Sequence, residues 1–116
     1  IIMEDNVGQL SVDIFQTKDE LILLAPIAGT SLKDINITVT DDVLTIKGAR
    51  NCPHDIDEKD YLTKECFWGE FRRAVVLPKN VDSKQIKATS FNNILEIRIP
   101  KTSEDKTKVV KINVDQ

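Results

Sequence analysis

The sequence predicts an all-β chain folded as a compact antiparallel β-sandwich, and three observations predict it. Val and Ile together make up 24 of the 116 residues, and β-branched side chains fit a pleated, half-buried surface. Apolar residues recur with a period of two in segment after segment, and no segment carries a helical stripe. Turn residues punctuate the chain at short, regular intervals, which is the spacing of a sandwich rather than of alternating strands and helices.

Each element follows from its own residues. Leu10, Val12 and Ile14 alternate with Ser11 and Asp13, predicting a half-buried strand. Leu21 to Ala25 is a continuous apolar run, short enough for a strand buried on both faces. Pro26 and Gly29 bracket a turn. Ile35, Ile37 and Val39 alternate with Asn36, Thr38 and Thr40, and Asp41-Asp42 joins this strand to Val43–Lys47 as a tight hairpin. Ala49 to Asp60 is polar and too long for a hairpin turn, so a long loop is expected there. Phe71 to Leu77 is the next strand, ended by Pro78. Ile86–Phe91 and Ile94–Ile99 are joined by Asn92-Asn93, a residue type that tolerates positive φ, and Pro100 stops the second strand. Lys101 to Lys108 is charged and holds no apolar residue. Val109 to Val114 then recovers alternation, with Val110, Ile112 and Val114 on one side. An apolar tip on a solvated tether calls for a groove, on its own domain or a neighbour.

Composition narrows the function. A chain of 116 residues makes one domain and buries roughly two-thirds of its unfolded surface, so it needs neither disulfide nor metal to hold a core. With 41% hydrophobic and 30% charged residues it belongs among folded chains. A net charge of -3 gives no electrostatic argument for nucleic acid or an anionic membrane. No apolar run approaches the roughly 20 residues of a membrane-spanning helix, and from its first residues no signal peptide is expected. Two cysteines suit a reducing compartment, so a cytoplasmic location is expected. Gly8, Gly29, Gly48 and Gly69 lie far apart, so no glycine loop cradles a nucleotide phosphate.

Candidate chemistry is thin. Cys52-Pro53-His54 invites a metal, yet one His and two Cys fall short of a closed four-ligand zinc site, and no metal or cofactor is expected. Neither Cys52 nor Cys66 has the neighbours that activate a nucleophile. Cys52, by its loop context, is expected to be exposed and open to oxidation between subunits. Asp55, Asp57, Glu58 and Asp60 read as a solvated acidic face rather than an acid–base pair. The chain is therefore not expected to be an enzyme. Trp68 follows both cysteines instead of lying between a disulfide pair, unlike an antibody domain. Arg73 shares the register of Phe71, Val75 and Leu77, and a guanidinium on that face needs a partner. Arg72 points the other way, to the surface.

Four motifs carry a family resemblance: Ala25-Pro26-Ile27-Ala28-Gly29 with Asp34-Ile35; Leu44-Thr45-Ile46-Lys47-Gly48; Glu65-Cys66-Phe67-Trp68-Gly69-Glu70-Phe71-Arg72-Arg73-Ala74-Val75-Val76-Leu77-Pro78; and Ala88 to Pro100. In this order they resemble the A-P-x-x-G, L-x-I-x-G, G-x-F-x-R-x-x-x-L-P and A-x-x-x-N-G-V-L signatures of the α-crystallin domain of small heat shock proteins, bacterial and plant type, over about Leu10 to Val114. Two positions depart: Asn93 stands where the family has Gly, and Ile112-Asn113-Val114 is the variant of the C-terminal I-x-I/V motif. The chain begins Ile1-Ile2-Met3, so it reads as a trimmed fragment: residues 1–8 as a remnant of the family's N-terminal arm, 9–100 as the domain, and 101–116 as a C-terminal extension.

The resemblance implies an immunoglobulin-like antiparallel β-sandwich that forms a homodimer and higher homo-oligomers. It implies an ATP-independent holdase that binds unfolding client proteins. In the dimer, the long loop would carry a short strand to the partner, with Ile56 as anchor, Tyr61 and Leu62 at the loop base, and Arg73 supporting the interface or the local fold. The tail residues Ile112 and Val114 would dock on a neighbouring subunit. The receiving groove would lie between the Ile35–Val39 and Ile86–Phe91 strands, lined by Ile37, Val39, Ile86 and Ala88. The alternative is a monomeric co-chaperone adaptor of the CS type, with similar topology; the I-x-V tail and the long loop argue against it.

Overall fold

The computed structural model describes residues 7–102 and 110–114. Eight strands make two stacked sheets: β1 (Gly8–Gln9), β2 (Asp13–Gln16), β3 (Glu20–Pro26), β4 (Asn36–Thr40), β5 (Val43–Arg50), β6 (Gly69–Val76), β7 (Lys87–Phe91) and β8 (Ile94–Pro100). One sheet runs β1-β6-β5-β4 and the other β2-β3-β8-β7. Every pairing is antiparallel except β1 with β6. Only short 3-10 turns, at Leu32–Asp34, Glu58–Asp60 and Ser83–Gln85, add helical character among the described residues. The all-β sandwich expected from the sequence is the fold observed.

Alternation builds the core. Leu44 and Ile46 of β5 meet Ala25 of β3 and Ile97 of β8, all fully shielded from solvent. Leu23, Phe71, Leu95 and Ile99 complete the layer. Each large aliphatic side chain buried this way contributes about 1.5–3 kcal/mol. β3 is buried on both faces at its centre, as its continuous apolar run predicts: Ile22 and Leu23 point opposite ways and both are buried. Ile22 stands in register with Phe15 of β2 and Arg98 of β8 on the outer face. Arg98 is held by Glu20 at 2.7 Å and Glu96 at 2.8 Å, and the hydrogen bond to Glu96, then that to Glu20, raises its pKa further.

Both two-residue hairpins form where expected. Asp41 and Asp42 have φ of 50° and 65°, Asn92 and Asn93 of 50° and 62°. Two successive positive φ angles define the I′ turn, whose twist matches that of the strands it joins. Asp and Asn adopt this conformation more cheaply than other residues with a side chain. Asn93 therefore preserves the turn without glycine.

Three expectations need correction. Leu10 to Ile14 is not one strand. Leu10 enters the core beside β1, its N–H donating to the Arg72 carbonyl at 3.2 Å, and the chain then crosses to the other sheet as β2. The alternation continues through the crossing, so period alone does not reveal it. The long loop does not begin at Ala49: Gly48, Ala49 and Arg50 pair with Phe71, Glu70 and Gly69, so the loop runs over residues 51–68. Gly48 makes this possible, because a Cβ there would lie 2.6 Å from the Phe71 ring. Val110 to Val114 forms no strand in the single chain, and Val109 with residues 103–108 lies outside the described residues.

Truncating Ile97 to Ala should cost about 2–5 kcal/mol in urea unfolding, whereas Val76→Ala, on an outer face, should stay within about 0.5 kcal/mol. Equal losses would mean the core is not where the burial places it.

Candidate interaction edges

Each sheet ends in strands with an unpaired side. β1 and β2 lie at one end of their sheets and are joined by three residues, so β4 and β7 lie together at the other end. Ile37 and Val39 of β4 and Ile86, just before β7, are half-buried and packed against the core. Ala88 is exposed but stands in register with the fully buried Ile97, so it faces inward. The four residues expected to line a groove thus sit on facing edges. Ile35 and Ser90 extend the same two inward rows. Ser90, in register with Leu95, was not anticipated; its signal was the continued period of two after Ala88.

The tail is apolar and uncovered. Val110, Ile112 and Val114 are between 72% and 81% exposed. They alternate with Lys111 and Asn113, so one extended side of the segment is aliphatic.

A second open edge is β2. All four of its residues are exposed, and Phe15 shows 44% of its surface. Its inner side pairs with β3 and its outer side carries no ladder among the described residues. The sequence reading took this stretch as half-buried; the crossing between sheets is what turns it into an uncovered edge.

The loop over residues 51–68 holds itself together locally. The Lys64 ammonium pairs with the Glu58 carboxylate and lies 4.9 Å from the Tyr61 ring centroid. The hydrogen bond to Glu58 holds Lys64 above the usual lysine range. Tyr61 is half-buried and Ile56 exposed. Leu62 is fully exposed and closes nothing at the loop base in the single chain. Cys52 is half-buried rather than exposed, while Cys66 is exposed; both are free thiols. Among the described residues no three His, Cys, Asp or Glu side chains gather to hold a metal, and no helix is long and apolar enough to cross a membrane.

Arg73 finds its partner inside the chain. It is half-buried, and its Nη1 donates to the Leu10 carbonyl at 3.2 Å. The guanidinium on the apolar side of β6 therefore pins the point where the chain leaves one sheet for the other.

This sandwich, with its open edges and detached apolar tail, matches one family. The model of the Hsp20/alpha crystallin family matches residues 13–115. Small heat shock protein C2 of Rickettsia felis is 34% identical over 100 residues, covering 86% of this chain and 65% of its own length. A 17.8 kDa class I heat shock protein of Arabidopsis thaliana is 30% identical over 105 residues, covering 90% of this chain and 67% of its own. The solved small heat-shock protein of Xylella fastidiosa superposes with a TM-score of 0.74 at 28% identity, covering 92% of this chain and 96% of that one. HspA of Xanthomonas axonopodis gives 0.72 at 30% identity, over 79% and 92%. The chain belongs to the Hsp20/alpha crystallin family of small heat shock proteins. It spans less than two-thirds of the two Rickettsia felis relatives, 65% and 62% of their lengths.

Replacing Arg73 by Met should expose the β1 amides to hydrogen exchange and cost about 1–3 kcal/mol, the range for stranding a partly buried acceptor. Unchanged exchange at Gly8 to Leu10 would show that the Leu10 bond does not hold the crossover.

Proposed function

We propose that this chain is an ATP-independent holdase, cytoplasmic, that assembles through its open edges and keeps unfolding proteins from aggregating. The observation that carries the reading is the aliphatic tail, Val110, Ile112 and Val114, left in solvent while β4 and β7 each end a sheet with Ile37, Val39 and Ile86 only half-buried. An extended segment with alternate anchors adds to such an edge through backbone hydrogen bonds and side-chain pockets. Ile112 and Val114 of one subunit enter the groove of another, against Ile37, Val39, Ile86 and Ala88. The solved Xylella fastidiosa relative is described as having a distinct high order structure, and association through the tail gives this chain a route to one.

The dimer is formed by the loop. Its backbone pairs with the open side of β2 on the partner, where Ile14 and Phe15 are exposed. Ile56 and Leu62, uncovered in the single chain, gain cover there, and Tyr61 keeps the loop base in shape. Pairing of this kind removes an edge from each subunit. Arg73 acts indirectly, by fixing the crossover that presents β2.

Holding needs no nucleotide. Capture is an equilibrium between apolar surface on the client and apolar surface on the chaperone, driven by area removed from water.

Light scattering of a heat-labile client, without ATP, should fall when the chain is added near equimolar subunit ratio; no suppression would remove the holdase reading. Ile112→Ala with Val114→Ala should shift native mass to smaller species, and an unchanged mass would remove tail docking. Deleting Asn51 to Glu58 should leave monomers. A wild-type native mass of one chain would favour the CS-type adaptor instead.

A further inference from the structure

At the edge of its sheet opposite β4, the chain has a concave surface. An open cleft of about 750 Å³ lies between β1, the β3 end and the start of β6, with Val7, Leu10, Pro26, Phe67 and Phe71 on its walls and Arg50 beside them. Three strand spacings separate β1 from β4, about 14 Å. Phe67 can form a wall because residue 8 is glycine: a Cβ there would meet the ring at 2.6 Å.

Arg50 is the charged residue on these walls. It is half-buried; its Nε donates to the Ala28 carbonyl at 2.6 Å, and its guanidinium carbon lies 5.7 Å from the Phe71 ring centroid. Arg98 and Lys64 each hold a carboxylate, but among the described residues Arg50 holds none. A guanidinium at an apolar wall, with its outer nitrogens unused, is suited to a carboxylate in bidentate contact.

We infer that this cleft is a client-capture site, selective for unfolded segments that place a bulky apolar residue beside Asp or Glu. The inference deepens the holdase reading and rests on it for the occupant. One observation favours a client segment. The cleft joins aromatic walls to an unpaired cation, matching an apolar-acidic segment in both shape and charge. A volume of this size accepts a few side chains, not a folded domain.

The test uses the full chain, amide NMR, and two probe peptides, acetyl-Leu-Phe-Asp-Leu-amide and its Asn counterpart. Shifts should gather at Val7 to Ser11, Arg50 and Phe67, and the Asp peptide should bind about tenfold more tightly. Arg50→Gln should erase that preference. Phe67→Ala, whose ring is at the surface, should weaken both peptides and leaves the Ala28 contact of Arg50 in place. Shifts confined to the β4–β7 groove, or equal affinity for both peptides, would overturn the inference. So would binding seen only after residues 1–6 are removed, because the cleft would then belong to the chain's own N-terminal segment. Client protection by wild type without cleft shifts sinks the cleft and leaves the holdase; cleft binding without client protection overturns both, because the occupant would not be a client.

Discussion

A sandwich of two four-stranded sheets cannot close on itself, so it must leave strand edges unpaired. Everything distinctive about this chain is arranged around that constraint. The interior is ordinary: alternating aliphatic residues from facing sheets, with Leu44, Ile46 and Ile97 fully shielded. The edges differ from one another. β1 is a two-residue parallel strap on β6, β2 is open along its outer side, and β4 and β7 each end a sheet. Many proteins protect such edges with charge or proline. Here the inward row at β4 is aliphatic, that at β7 carries Ile86, Ala88 and Ser90 but no charge, and β2 shows Ile14 and Phe15 to solvent.

The arrangement of the edges traces back to one crossing. Leu10 sinks into the core beside one sheet, and three residues later the chain pairs with the other. Arg73 binds the Leu10 carbonyl at that crossing. A lysine could not reproduce its planar fork, and an aliphatic residue would leave the carbonyl without that donor. The arginine thus acts at a distance on β2, the strand it helps to place.

Much of this was legible in the sequence, for physical reasons. Period-two patterning located β4, β6, β7 and β8, since each has one face inward. The paired acids at Asp41-Asp42 and the paired amides at Asn92-Asn93 located both hairpins. The inward rows followed from the same period, whereas grouping Ile37, Val39, Ile86 and Ala88 as one groove came from the family resemblance. What escaped were features that depend on the partner strand and not on the segment itself. The switch between sheets keeps its alternation and is invisible to a local pattern. The extension of β5 to Arg50 depends on Phe71 fitting over Gly48, a contact more than twenty residues away in sequence. The half-burial of Cys52 depends on how the loop folds over itself. The cleft beside Arg50 draws on four separated stretches of chain and left no contiguous motif to find.

The pairing of β3 with β8 bears on how this chain is made. Leu21 lies opposite Ile99 and Glu20 opposite Pro100, so the central ladder of one sheet joins residues almost eighty positions apart. A ribosome adds roughly 5–20 residues each second. The apolar run from Leu21 to Ala25 therefore waits about 4–15 s before its partner strand exists. β1 waits nearly as long for β6. During synthesis each new copy carries an uncovered hydrophobic strand of the kind that draws chains into aggregates.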